Sequence, residues 1–316
     1  MRRRISRPGK WSLLAAVAVM AVAGNLFAAD VPVDSSVGPK VHRGYVAMRY
    51  GQLHYAISDP DTAASRQQAP LVMLHQTPNS LAEFGPLIAQ MGKDRLVIAI
   101  DTPGYGGSDA PPSQPTIEDY AVVVAEALQA LGLNPQRSVD LLGNHTGAFI
   151  ATALATLQPQ RVRKLALIGV FVVSDDVLAN MRKLMPHPES YTEIIDYWCS
   201  RVPTVRSIYE AEGVPDSAWA LRVDSLRPIA TRREYGHHAA FEYAARARTE
   251  LPKVTQPVLL MAIADNIEDA TRRSAPLFPN AKLLELPHIR TGKSVYDGVF
   301  YSHTAAIAVE LRKFLD

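Results

Sequence analysis

A histidine, His145, stands at the apex of a tight turn. The stretch around it, VDLLGNHTGAFIATALA (139–155), reads as a strand, a turn bounded by Gly143 and Gly147, and a helix rich in small residues. An imidazole in such a turn has three chemistries open to it, because it titrates near neutral pH: nucleophilic attack, general-base activation of water, and proton donation. No serine or cysteine shares the apex, and the neighbouring hydroxyl belongs to Thr146. A second group of titratable side chains lies in REYGHHAAFEYAARARTEL (233–251). On a helix the adjacent His237 and His238 point about 100° apart, so at most one of them, with His238 the candidate, is expected to face a cleft. Tyr235, Phe241 and Tyr243 offer an apolar substrate wall, although aromatics at helical spacing also describe a helix packed into a core.

Other chemistries are poorly supported. The sequence has no local H-x-x-x-H or H-x-x-E-H pair, so no metal is expected. GYGGSD lacks the strand–GxGxxG–helix setting of a dinucleotide site, and no cofactor is expected. Cys199 is the only cysteine, which rules out an internal disulfide; after the aromatic pair in IIDYWCS it reads as a buried apolar thiol.

The elements that must hold His145 follow from the hydrophobic pattern. GYVAMRYGQLHYAISD (44–59) is a hairpin pattern about a glycine. LVMLH (71–75) is a continuous apolar run of strand length, and DRLVIAID (94–101), SVDLLG (138–143), RVRKLALIGV (161–170), QPVLLMAIAD (256–265) and AKLLELP (281–287) read as further strands around apolar centres. Helical spacing lies between them at 80–92, 116–132, 147–157, 268–277 and 304–315, and Thr116 with an acidic first turn caps the second of these. Strands apolar on both faces and alternating with helices predict an α/β fold, a mostly parallel sheet with helices on both faces. The alternation stops over 171–252, which is helical in pattern and aromatic, and is predicted to be a helical cap inserted into a core of 44–170 and 253–316. No internal repeat or low-complexity tract is present.

Several of these stretches together resemble the α/β-hydrolase fold. LVMLHQTPNSLAEFGPLI resembles the strand and His-Gly loop of that family, AIDTPGYGGSD its D-x-P-G-x-G-x-S-D turn, LLGNHTGAFIATALATLQPQRVRKLALIG its nucleophile elbow with the next strand, and PVLLMAIAD the strand that delivers its acid. The resemblance covers about residues 44–316 and places His145 where the family carries a nucleophilic serine. It implies an oxyanion hole from the backbone N–H of Thr146 and of Gln76, which stands where the family has glycine, with His75 and the cap residues His238 and Tyr235 near the substrate. It implies a histidine after the last strand, His303 or else His288, and an acid, Asp265 being nearest to the family's position. Asn266, Glu268 and Asp269 crowd the same turn, and Asp175 or Asp176 would be the alternative placement of the acid.

The first residues, MRRRISRPGKWSLLAAVAVMAVAGNLFAAD, run from basic to apolar to small, the plan of a secretory signal peptide over 1–29. Cutting after Ala28 or Ala29 puts Leu26 or Phe27 at the −3 position, where a small residue is preferred, so an uncleaved N-terminal anchor is the alternative. The expected location is periplasmic or secreted, with membrane contact only through that segment. Without Arg2, Arg3, Arg4, Arg7 and Lys10, 28 basic residues face 31 acidic ones. That net negative charge excludes a nucleic-acid partner and leaves a small-molecule substrate. The expected function is hydrolysis of a small ester, lactone or similar carbonyl compound. The alternatives are a non-hydrolytic acid–base reaction, as in a lyase or isomerase, and an inactive ligand-binding protein on the same scaffold.

Overall fold

The computed structural model describes residues 40–58, 60, 67–185, 190–200, 202–211, 216, 219–220, 223, 235–290 and 298–316. The expected signal segment 1–29 lies outside the described residues. A hairpin of β1 (Val41–Met48) and β2 (Gly51–Ser58) opens an eight-stranded sheet with β3 (Leu71–Leu74), β4 (Val97–Ile100), β5 (Val139–Asn144), β6 (Val162–Ile168), β7 (Val258–Ala264) and β8 (Ala281–Arg290). The strand order is β1-β2-β4-β3-β5-β6-β7-β8. β1 and β2 pair antiparallel, as do β2 and β4, and every later pair is parallel. Successive strands leave β3 in opposite directions, to β4 on one side and β5 on the other, which opens a crevice at the carboxyl ends of β3 and β5.

The apolar runs are strands because both of their faces are covered. Leu71 and Met73 pack toward α1 (Gly85–Met91), α9 (Val299–Ser302) and α10 (Thr304–Leu315). Val72 and Leu74, which alternate with them, pack toward α2 (Ile117–Ala130), α3 (Thr146–Leu157) and α7 (Gly236–Glu250). The period-2 alternation of a strand therefore divides one run of hydrophobic residues between two cores. Thr116 caps α2 as a full capping box: its hydroxyl accepts from the Asp119 amide at 3.1 Å, and Asp119 accepts from the Thr116 amide at 2.9 Å. Thr116→Ala is expected to cost about 1 kcal/mol, read as a lower urea midpoint at unchanged slope.

Two differences from the sequence pattern each trace to a proline. The helix expected over 80–92 is a 3-10 turn, Leu81–Phe84, followed by α1; Pro86 has no N–H to continue a helix and instead begins one. β8 runs beyond 287 to Arg290, but its register jumps from Ile263↔Leu286 to Ala264↔Arg290. Pro287 cannot donate to the ladder, so 287–289 bulge out of it. His288 thus sits on the bulge of an edge strand, exposed, rather than on a loop after the strand.

Between β6 and β7 the described residues form α4 (Asp175–Leu184), α5 (Tyr191–Cys199), α6 (Val202–Ala211) and α7. α7 buries Ala239, Ala240, Tyr243, Ala244 and Ala247, a stripe at helical spacing. Small side chains let it approach α3 closely, and Tyr243 meets Phe149 with ring centroids 5.4 Å apart. Phe241 meets Phe171 with ring centroids 5.4 Å apart, so these aromatics join α7 to α3 and to the segment after β6. Cys199 is exposed, contrary to its apolar neighbourhood in sequence. It ends α5, where Ile194 is buried, and five residues along a helix turn the thiol to the other side.

Candidate active site

β5 ends at Asn144, and the chain turns into α3 through His145 at φ 48°, ψ −108°. A left-handed backbone at a non-glycine residue costs about 1–3 kcal/mol and persists where its surroundings enforce it. Here the His145 amide donates to Ile168 O at 2.8 Å, and its carbonyl accepts from Ala148 at 2.9 Å, so the residue is held from β6 and from α3. The flanking glycines are sterically required. A Cβ on Gly147 would lie 1.9 Å from the Leu74 carbonyl oxygen, and one on Gly143 would lie 2.5 Å from the Gly147 carbonyl oxygen. The turn is thereby pressed against the end of β3, and the imidazole projects at the carboxyl edge of the sheet.

The ring meets Asp265, with Nε2 3.5 Å from Oδ2. The side chains are 13% and 3% exposed, so the pair is shielded from bulk water. Asp265 directly follows β7, and its other oxygen, Oδ1, accepts from the Ile267 amide at 2.9 Å, which turns Oδ2 toward the histidine. A proton on Nε2 faces that carboxylate and leaves the lone pair on Nδ1, which has no hydrogen-bond partner among the described residues. Opposite the ring lies Gly169, at φ 72°, where a Cβ would stand 2.5 Å from His145 Cδ2. Gly169→Ala is therefore expected to push the imidazole off Asp265. Activity should fall by about tenfold or more, with a stability loss of about 1–3 kcal/mol, checked by steady-state kinetics beside thermal melts.

The other carboxylates considered for this role are engaged elsewhere or lie open. Glu268 and Asp269 pair with Arg272. Asp175 and Asp176 are exposed in the first turn of α4. Asp265 is the acid that the fold brings to His145. Neither histidine expected after the last strand bonds to His145 among the described residues. His288 is on the β8 bulge. His303 ends α9 and caps α10, donating to Val299 O at 2.9 Å and accepting from Ile307 at 3.0 Å. Its neighbours fasten α9 to the 81–84 turn: Phe300 packs on Phe84 at 4.9 Å, and the Tyr301 hydroxyl donates to Ala82 O at 2.8 Å. Burial pushes the Tyr301 phenol up to about 12, so it remains a donor at neutral pH.

The loop after β3 is locked from both sides. His75 is fully buried; its Nε2 accepts from the Thr102 amide at 3.0 Å, so the proton resides on Nδ1, which donates to Gln76 O at 2.7 Å. Both nitrogens face the protein, and His75 holds the β3 loop to the β4 loop instead of lining a substrate space. The Gln76 amide, expected to be an open oxyanion donor, points at Glu83 Oε1 at 3.4 Å. The same oxygen accepts from Asn144 Nδ2 at 2.9 Å. Thr146 is buried and opens α3, where the first amides have no intrahelical acceptor, so its N–H is oriented by the helix and available.

The cap reaches this loop through the start of α7. The Gly236 amide donates to the Tyr105 hydroxyl at 2.9 Å, and a Cβ there would touch Thr77 Oγ1 and Tyr105. Tyr235, expected at the substrate, is instead buried at the N-cap of α7. His237 and His238 are half-buried in the first turn of α7, directly after Gly236. Asp101 gathers the Leu81 amide, the Gly107 amide at 2.8 Å and His54 Nδ1 at 2.7 Å, a carboxylate that organises loops. Sequence reasoning missed Glu83, Asn144 and Gly169. Only the last carried a signal, a glycine directly after a buried strand.

Comparison with known proteins gives a consistent picture. The family model of the alpha/beta hydrolase fold matches residues 69–288. The 2-hydroxymuconate semialdehyde hydrolase of Pseudomonas sp. strain CF600 is 32% identical over 132 residues, 40% of this chain and 44% of that protein. The (E)-2-((N-methylformamido)methylene)succinate hydrolase of Acinetobacter baylyi is 30% identical over 103 residues, 32% of this chain and 38% of that protein. The chain thus spans less than half the length of these curated relatives. Among solved structures, the enol-lactonase of Burkholderia xenovorans LB400 superposes with a TM-score of 0.66 at 21% identity, covering 86% of this chain and 99% of that one.

Proposed function

Because this chain belongs to the alpha/beta hydrolase fold family, we propose that it hydrolyses a small ester, lactone or similar carbonyl compound with His145 as its central catalytic group. The observation that carries the reading is the His145 Nε2–Asp265 Oδ2 contact at the family's elbow. The hydrolases among its relatives support the reaction class. Asp265 holds the Nε2–H and stabilises the imidazolium; Nδ1 takes a proton from water as the water oxygen attacks the carbonyl carbon. The Thr146 N–H meets the oxyanion, helped by the amino terminus of α3. The Gln76 N–H joins it, because a 3.4 Å contact is at the long end of hydrogen bonding and can be shared. Collapse of the intermediate returns the Nδ1 proton to the leaving alkoxide. The basic and then apolar N-terminal stretch supports export to the periplasm or beyond, where the substrate would be encountered.

A second reading, non-hydrolytic acid–base catalysis, is favoured by one observation: the Gln76 amide faces a carboxylate, which opposes a strong oxyanion. Turnover of a panel of small esters, lactones and thioesters by the full chain, with and without a serine-directed phosphonate, tests the proposal. Hydrolysis that persists in the phosphonate is expected. Complete inhibition would place the chemistry on a hydroxyl and remove His145 from the centre.

A further inference from the structure

Glu83 is a carboxylate only 7% exposed, and no part of the hydrolytic scheme above uses it. A carboxylate is retained in such a place when donors compensate its burial. Its Oε1 collects two of them, the Gln76 amide at 3.4 Å and Asn144 Nδ2 at 2.9 Å. These come from different elements. Gln76 lies just beyond β3, and Asn144 is the last residue of β5, immediately before His145. β3 and β5 are neighbours in the sheet, and the crevice opens where they end. A carboxylate accepts and does not donate, so the amide nitrogen of Asn144 is the atom that must face it, and the side chain has one orientation. Gln76 is gripped at both ends, its N–H by Glu83 and its carbonyl by Nδ1–H of His75.

We infer that Glu83 is the positioning residue of this site, a clamp whose Oε1 joins the Gln76 amide to the Asn144 side chain and so sets the distance between the β3 loop and the His145 turn. The inference rests on the site as read above but not on the identity of the substrate. Two hydrogen bonds, not the charge, carry the role, so Glu83→Gln, whose amide oxygen can accept from both donors, should preserve it. Glu83→Leu should abolish it.

The test uses the full chain, labelled with ¹⁵N, as wild type, Glu83→Gln, Glu83→Leu and Asn144→Ala. The first readout is the Gln76 amide proton. It should keep its downfield shift in Glu83→Gln and lose it in Glu83→Leu. It should also move in Asn144→Ala, which strips Glu83 Oε1 of the donor it shares with the Gln76 amide. The second readout is kinetics on whichever panel compound the wild type hydrolyses. Glu83→Leu should lower kcat by about tenfold or more with KM within about threefold, and Glu83→Gln should restore it. If Glu83→Leu does not fold, the Asn144→Ala arm decides. An unmoved Gln76 amide in Asn144→Ala, or a Glu83→Gln as impaired as Glu83→Leu, overturns the inference. A wild type that hydrolyses nothing defeats the hydrolase reading and leaves the amide readout to decide the clamp.

Discussion

His145→Ala is expected to lower kcat/KM by about 10²–10⁴ on any compound the wild type hydrolyses, while the protein stays folded. The size follows from what the ring does. On the proposed reading its Nδ1 is the base, presented at the carboxyl edge of the sheet, and Asp265 at 3.5 Å supports the charge that Nδ1 acquires. Alanine removes both functions. Stability should change by about 1 kcal/mol or less, because the ring's one polar contact among the described residues is with Asp265 and alanine inherits the same backbone hydrogen bonds to Ile168 and Ala148. Asp265→Asn is the companion variant. It keeps the shape but can turn its amide N–H toward Nε2, which favours the tautomer with its proton on Nδ1 and removes the basic lone pair. Equal kcat/KM in wild type and His145→Ala would show that chemistry occurs elsewhere.

The second large effect is on stability and arises at the opposite end of the sheet. Asp140 is fully buried near the start of β5, paired with Leu71 at the first residue of β3. Arg163 holds it with two hydrogen bonds, at 2.9 and 2.5 Å, and the equally buried Arg95 approaches to 3.7 Å while also pairing with Asp316. Burial pushes the Asp140 carboxyl above its usual range, and the hydrogen bonds and charge of Arg163, then the charge of Arg95, pull it back. Asp140→Ala removes the buried anion that the two guanidinium groups share and leaves Arg95 buried with Asp316, a half-exposed partner. Breaking such a buried pair costs about 3–5 kcal/mol, read from urea unfolding. The same residues tie the end of α10 to the sheet, since Arg163 also donates to Leu315 O at 2.6 Å and Lys164 to Phe314 O at 2.7 Å. A loss below about 1 kcal/mol would mean that water reaches Arg95 and that the cluster is not closed.

The parts of this molecule readable from sequence are those where one residue type has one use. Buried parallel strands need apolar side chains on both faces, and Leu71 to Leu74 carry them. The two elbow glycines are read correctly because any Cβ there meets a backbone carbonyl. Thr116 with Asp119 is a cap with a known spacing. The site was less legible because carboxylates and histidines have many uses. Asp265, Glu268 and Asp269 are alike in sequence, and only the arginine at 272, which engages the latter two, separates them. His75 sits in the expected loop, yet the Thr102 amide and the Gln76 carbonyl occupy its nitrogens. His288 moved because Pro287 breaks the ladder and carries it out on a bulge. Glu83 lies within the helical pattern expected over 80–92, and Pro86 splits that pattern so that Glu83 falls in a 3-10 turn and is buried. Asp140 sits in the strand expected over 138–143, and its role is not legible there because its partners Arg95 and Arg163 lie on other strands or loops.

The central claim is that the His145–Asp265 pair drives addition of water to a carbonyl. Its most direct test is turnover in H₂¹⁸O by the wild type and His145→Ala side by side, with the product analysed by mass. The expected result is ¹⁸O in the carboxylate product of the wild type and a rate lowered by about 10² or more in His145→Ala. Product without label, or labelled product formed equally fast by both proteins, would contradict it.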